Sequence, residues 1–238
     1  MNTNSGEALS PLIAIGTSGY TYSWNEANPT PFKWYISQGF NSVEINASFY
    51  RFPIQSWVKT WLTAPEDFSF SIKVHRSITH YTKLKNRSLE LWNRFRQPLE
   101  SLEKKIDFWL FQMPSNYKYK QENLEAIRAF FEKTNLRNKA VIEFRDASWW
   151  KAVKEIANIG IVFCSLNAPC LPRRLMSTNG AAYLRLHGSN EWYNYIYSEK
   201  ELDEILSRIK KLKADKKMIY LNNDHGMLEN GRYLLKHV

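Results

Sequence analysis

Ala140-Val141-Ile142-Glu143-Phe144-Arg145 is a short apolar run, rich in β-branched residues near its start, with a glutamate and an arginine set two positions apart at its end. Such a run, bounded by polar residues, reads as a buried parallel strand. Helix-like periodicity follows over Trp149 to Ala157 behind a capping residue, Ser148. The same strand-then-helix pattern recurs at Leu12-Ile13-Ala14-Ile15, Ser42-Val43-Glu44-Ile45, Phe68-Ser69-Phe70-Ser71-Ile72, Phe108-Trp109-Leu110-Phe111, Ile161-Val162-Phe163-Cys164, Ala182-Tyr183-Leu184-Arg185-Leu186 and Met218-Ile219-Tyr220-Leu221. Eight units of about 30 residues each match a (β/α)8 TIM barrel. The expected fold is therefore α/β, a single TIM-barrel domain over residues 11–238 behind a disordered tail, residues 1–10.

Between the runs, Pro31 opens a helix over Phe32 to Gln38, Pro53 opens one over Ile54 to Leu62, and Ser198 caps one reaching Lys213. In the last, Leu202, Ile205, Leu206, Ile209 and Leu212 form an apolar stripe, and Arg208, Lys210, Lys211 and Lys213 form its solvated face. Asn167 to Thr178, with Pro169 and Pro172, reads as a loop.

Composition narrows the function classes. At 44% hydrophobic and 24% charged residues, disorder and fibrous repeats are excluded. No apolar run approaches the roughly 20 residues of a membrane span, and Met1 to Ser10 lacks the basic and apolar parts of a signal peptide. Cys164 and Cys170 fit neither a disulfide framework nor a zinc site. A reducing, cytoplasmic location is expected, with no membrane partner. The 33 Lys and Arg residues against 23 Asp and Glu give a net charge of +10, which favours anionic partners: nucleic acid, phosphate or a sugar acid. Aromatic residues, at 15%, serve either a thick core or a site that stacks on flat ligands.

In a barrel of this kind function gathers at the C-terminal strand ends, where side chains alternate inward and outward. The parity that sends apolar neighbours toward the helices turns inward Glu44 with Asn46, Ser71 with Lys73 and His75, Gln112, Glu143 with Arg145, Arg185 with His187, and Asn222. Their charges are expected to form an ion-pair network. That network is either a binding site or an internal brace between strands. Lys73, Arg145 and Arg185 would repel a cation, so no metal site is expected. Two nearby glutamates would keep Lys73 charged rather than nucleophilic. Anion binding fits this set: Lys73, Arg145 and Arg185 as the grip, Glu44, Glu143 and His187 as acid/base groups, and Gln112, Asn46 and Asn222 as orienting amides.

Gly16-Thr17-Ser18-Gly19-Tyr20 allows a tight turn offering the Thr17 and Ser18 hydroxyls to a ligand. It is not a dinucleotide fingerprint, and no cofactor is implied. Tyr20, Tyr50 and Trp149 are loop aromatics placed to stack on a base or sugar, or, for Trp149 with Phe49, to seal the barrel top. His80 is a ligand contact or a loop anchor.

The order of these motifs resembles domain-of-unknown-function family 72, the YecE-like proteins. The resemblance rests on Gly16-Thr17-Ser18-Gly19-Tyr20, Val43-Glu44-Ile45-Asn46 with Ser48-Phe49-Tyr50-Arg51 and Pro53, Phe68-Ser69-Phe70 with Lys73, and Ile78-Thr79-His80. It continues through Gln112-Met113-Pro114, Glu143-Phe144-Arg145 with Ser148-Trp149, Tyr183-Leu184-Arg185-Leu186-His187-Gly188 and Leu221-Asn222-Asn223, covering the chain from about Ile13 to its end. It implies a TIM barrel and no established reaction. Barrels of the xylose-isomerase and endonuclease-four type are similar to the family's, an analogy that adds nucleic-acid binding as an alternative. Where many relatives carry Asp-x-Pro, this chain has Asn167-Ala168-Pro169, so no charged role is expected there.

The sequence thus points to a mouth that binds a phosphorylated or other anionic small molecule, with metal-independent hydrolase- or isomerase-like acid/base chemistry. The alternative is nucleic acid on the same basic, aromatic-rimmed mouth.

Overall fold

The computed structural model describes residues 13–238, apart from the side chain of Arg137. The tail expected over residues 1–10 lies outside the described residues. Nine strands are present among the described residues: β1 (Ile13–Thr17), β2 (Ser42–Ile45), β3 (Ser69–Lys73), β4 (Ile106–Gln112), β5 (Ala140–Glu143), β6 (Val162–Phe163), β7 (Ser165–Asn167), β8 (Ala181–Leu186) and β9 (Lys216–Leu221). They form two sheets, one of four strands in the order β1-β9-β8-β7 and one of five in the order β2-β3-β4-β5-β6. Every pairing is parallel.

The ninth strand arises because the chain stays extended past Cys164, where the expected sixth run ends, and changes partner there. Val162 and Phe163 pair with β5, and the Cys164 N–H still reaches the Ile142 carbonyl at 2.9 Å, whereas Ser165 is already in register with Leu184 of β8. The chain passes from one sheet to the other at this residue. At the other junction a parallel bridge between Ser18 and Glu44 brings the end of β1 against β2. Gly16 makes that approach feasible, since a Cβ there would stand 2.4 Å from the Ser42 carbonyl oxygen.

The connecting α-helices are α1 (Pro31–Ser37), α2 (Ala47–Tyr50), α3 (Gln55–Trp61), α4 (Ser88–Arg96), α5 (Gln121–Thr134), α6 (Val153–Asn158), α7 (Glu199–Lys210) and α8 (Met227–His237). Their ends follow ordinary capping chemistry. Thr30 accepts the Lys33 N–H ahead of Pro31, and Ser198 with Glu201 forms a capping box that opens α7. The helix expected from Trp149 begins as a 3-10 segment, Ala147–Ala152, before α6, and its cap is Asp146, whose carboxylate accepts the Ser148 N–H at 3.0 Å. Residues 168–177 form no helix or strand. Among the described residues no helix is long and apolar enough to cross a membrane.

Period-two alternation divides the strands into two buried faces. Trp109, Phe111, Ile142, Leu184, Leu186, Ile219 and Leu221 pack in the larger core with helix residues such as Ile127 and Phe131 of α5 and Ile209 of α7. Phe108, Leu110, Val141, Cys164, Tyr183, Met218 and Tyr220 form a smaller cluster on the opposite face. Continuing this second parity toward the C-terminal ends reaches Glu44, Lys73, Gln112, Glu143, Arg185 and Asn222. Register reinforces the grouping: Glu44 is opposite Ser71, and Gln112 opposite Glu143.

Because Gly16 lets β1 approach β2 without a side chain, Gly16→Ala is expected to lower stability by about 1–3 kcal/mol through overpacking. Urea unfolding reads this directly, and an unchanged midpoint would mean that the two strands separate at no cost.

Candidate functional site

Arg185 lies at the centre of the strand ends, completely buried, with its guanidinium fork divided between two carboxylates. Nη1 donates to Glu143 Oε2 at 2.5 Å and Nη2 to Glu44 Oε1 at 2.6 Å and to Ser18 Oγ at 3.2 Å. Glu44 is enclosed as fully: Ser18 donates to Oε1 at 2.8 Å and the Tyr183 hydroxyl to Oε2 at 2.7 Å. Tyr183 also lies 2.6 Å from Ser71 Oγ. Burial alone would weaken Arg185 as a base, but Glu143 and Glu44 override it and hold the guanidinium charged.

Glu143 completes the pair of ion bridges by accepting from Arg145 Nε through its other oxygen. Burial would raise its carboxyl, yet Arg145 and Arg185 hold it well below the usual carboxylate range. Arg145 itself stacks on Trp192, 4.4 Å from the ring centroid, and reaches the Tyr193 hydroxyl at 3.3 Å. Both guanidiniums come within 3.3 Å of His187 Nε2. Burial, with Arg145 and Arg185 next, pushes this imidazole well below its ordinary value, so it is neutral at pH 7 and accepts at Nε2. The Asn222 side-chain amide nitrogen lies 3.1 Å from its Nδ1.

Lys73, at the end of β3, is 7% exposed and makes no ion pair or side-chain hydrogen bond among the described residues. Its amine lies over the Phe49 ring, 4.3 Å from the centroid. Burial, then the neighbouring Arg185, pushes it down to about 7. Edge-on to the same Phe49, at 5.0 Å, is His80, pushed down to about 4 by burial and by Lys73.

A cavity of about 670 Å³ opens beside this group, lined by His80, Gln112, Ser115, Arg145, Cys170 and Trp192 among others. A second, of about 400 Å³, lies between Ser18, Tyr20, Tyr22, Asn46, Tyr50 and Trp61. The structure therefore brings together Glu44, Glu143, Arg145, Arg185, His187 and Asn222, with Lys73, His80 and Gln112 at the edge. Asn46 and Tyr20 border the smaller cavity: Asn46 donates to the Ser18 carbonyl at 3.2 Å, and the Tyr20 hydroxyl accepts from Trp61 at 3.0 Å. Tyr50 also borders it and is 65% exposed.

Three expected residues point elsewhere. Thr17 shares the parity of Ile13 and Ile15, which pack in the larger core, and its hydroxyl is held by the Gly19 carbonyl at 2.5 Å. Trp149 is fully buried, stacks on Phe144 and donates to the Tyr117 carbonyl at 2.6 Å, so it anchors a loop. His75 is turned toward Ser77 and Phe52. Asn167 accepts from Tyr197 and Ser189, a neutral role in which no charge is needed. Ser18 and Tyr183, by contrast, prove integral to the network. Each precedes or follows a glycine or arginine of known parity by two positions, which is the signal that identifies its face. Among the described residues no three His, Cys, Asp or Glu side chains group as metal ligands.

This parallel α/β fold has counterparts among known proteins. The family model described as "Protein of unknown function DUF72" matches residues 14–234, and the chain belongs to that family. A DUF72 family protein of Thermotoga maritima is 27% identical, with a TM-score of 0.82 over 95% of this chain and 98% of its own. A DUF72 family protein of Enterococcus faecalis shares the fold at 20% identity, with a TM-score of 0.79 over 94% of each chain. No curated protein matches the chain.

Removing the guanidinium between the two carboxylates should be severe. Arg185→Met is expected to cost about 3–5 kcal/mol at pH 7 because it leaves charge buried without a partner. Glu143 is depressed in the folded state, so its contribution is present above about pH 4.5 and lost as pH falls. The gap between wild type and variant in urea unfolding should narrow in that acid range.

Lys73 adds a rise of the same sign at higher pH. Its folded value of about 7 lies below the ordinary lysine value, so between pH 7 and 9 the unfolded chain binds more protons and stability rises with pH. The slope from this group is at most about 1.4 kcal/mol per pH unit. Lys73→Met should lack that rise, and parallel pH curves for the two proteins would refute the assignment.

Proposed function

We propose that the two sheets close into one (β/α)8 barrel, a single domain over residues 11–238, whose mouth binds a phosphorylated or carboxylate-bearing small molecule. Metal-independent acid/base chemistry on that molecule follows from the groups around it. The observation that carries this reading is Arg145 lining the 670 Å³ cavity. Its guanidinium is held by Glu143 through Nε, by Tyr193 and His187 at its terminal nitrogens and by stacking on Trp192, so the N–H bonds left over are already oriented for an oxyanion. Gln112, Ser115 and neutral His80 supply hydrogen bonds beside it.

Glu44, Glu143 and Arg185 act as the floor of this mouth, because both carboxylates and the terminal nitrogens of the Arg185 guanidinium are taken up by one another and by Ser18, Tyr183 and Arg145. His187 transmits the position of Asn222 to Arg145. Lys73, unpaired and titrating near neutrality, is the group best suited to exchange a proton at physiological pH. With Lys73 protonated, three cations face two carboxylates in this cluster, an excess that favours an anion over a cation.

Thermal unfolding of wild type and Arg145→Ala in the presence of glycerol phosphate, inorganic phosphate or single-stranded DNA tests the proposal. A ligand that binds the native state stabilises it by about 2.7 kcal/mol at a hundredfold excess over Kd. A small phosphate should raise the midpoint of the wild type at physiological salt and leave the variant unshifted. A shift from DNA alone that fades steeply with salt would transfer the mouth to nucleic acid, and no shift with any of the three would overturn it.

A further inference from the structure

We propose that Lys73 is a nucleophilic amine that condenses with the aldehyde or ketone carbonyl of a ligand held in the mouth. The inference rests on the anion-binding reading above and adds the reactive group of the ligand.

Three observations carry it. First, the carboxylates that would ordinarily hold a strand-end lysine as an ammonium are already occupied: Glu44 by Arg185, Ser18 and Tyr183, and Glu143 by Arg145 and Arg185. Lys73 accordingly makes no ion pair among the described residues. Second, its amine is buried, with two guanidiniums in the adjoining network, and desolvation beside other cations frees a lysine lone pair against the modest pull of the Phe49 ring on the ammonium. The depression of Lys73 to about 7 agrees with this placement. Third, Phe49 also contacts His80, which lines the 670 Å³ cavity, so the amine is linked through Phe49 and His80 to the space where Arg145 would hold an anionic group.

The chemistry balances without a co-reactant. The Nζ lone pair forms a bond to the carbonyl carbon, and the C–O π electrons move to oxygen. Proton transfer gives a carbinolamine, and expulsion of that oxygen with the two former amine protons yields an imine and one water. No redox change occurs until a hydride reagent is added.

The experiment treats the folded wild type at pH 7 with limiting glyceraldehyde 3-phosphate or propanal, adds borohydride to reduce any imine to a secondary amine, and maps modified lysines by peptide mass spectrometry. An ordinary lysine is roughly one part in a thousand unprotonated at this pH. Lys73 is expected to be labelled at least tenfold more than each other lysine. Arg145→Ala should reduce labelling by the phosphorylated aldehyde while leaving propanal labelling of Lys73 in place. Label spread over surface lysines with none on Lys73 overturns the inference, even when phosphate still raises the midpoint. Propanal labelling of Lys73 without any phosphate shift sustains the amine and removes the anion site, which separates the two failures.

Discussion

Arg185 is the contact on which the arrangement depends, because it crosses between the two sheets. It belongs to β8 in the four-stranded sheet, and both carboxylates it holds, Glu44 of β2 and Glu143 of β5, belong to the five-stranded one. The neighbouring polar contacts run the same way. Tyr183 reaches Glu44 and Ser71, and Tyr220 reaches Ser42 at 2.6 Å, each from the first sheet to the second. Hydroxyls and a guanidinium on one side thus meet carboxylates and serines on the other, and the buried charges are matched rather than exposed. A buried ion pair of this kind is a weak source of net stability, but breaking it is costly, so it specifies how the sheets meet.

That matching has a chemical consequence. Every carboxylate oxygen of Glu44 and Glu143 has a donor, and His187 accepts from two guanidiniums, so the groups that look most reactive in the sequence are the most committed in the fold. Reactivity is displaced to the margin of the network. Lys73 has cations near it and an aromatic face beneath it, and Arg145 projects from its bond with Glu143 into the cavity. The division between a rigid charged floor and a few unpaired groups above it suits a site that must hold an anion while changing one proton.

Much of this was legible in the residues. Alternation placed Glu44, Glu143, Arg185, His187 and Asn222 on one face, and the structure gathers them. In the turn after β1 the sequence offers the Thr17 and Ser18 hydroxyls alike. Strand parity continues through it, so Thr17 faces the helices and Ser18 faces Arg185. Trp149 stayed open between stacking and packing, because an aromatic residue after a strand satisfies the two roles equally well in sequence. Its indole N–H found the Tyr117 carbonyl, and its ring found Phe144. The change of partner at Cys164 had no signal at all, since an extended run looks the same in sequence whether it keeps one neighbour or changes partner.

Repeated apolar runs at near-constant spacing dictated parallel βα units, and a period of two dictated which side chains share a face, because both follow from local backbone geometry. Partner choice did not. Whether Lys73 or Arg185 would take the two glutamates turned on which donor the packed strands brought within hydrogen-bond distance, and a guanidinium fork spanning both carboxylates leaves the amine without either. That outcome depends on distances between residues as far apart as Glu44 and Arg185, which exist only once the sheets are assembled.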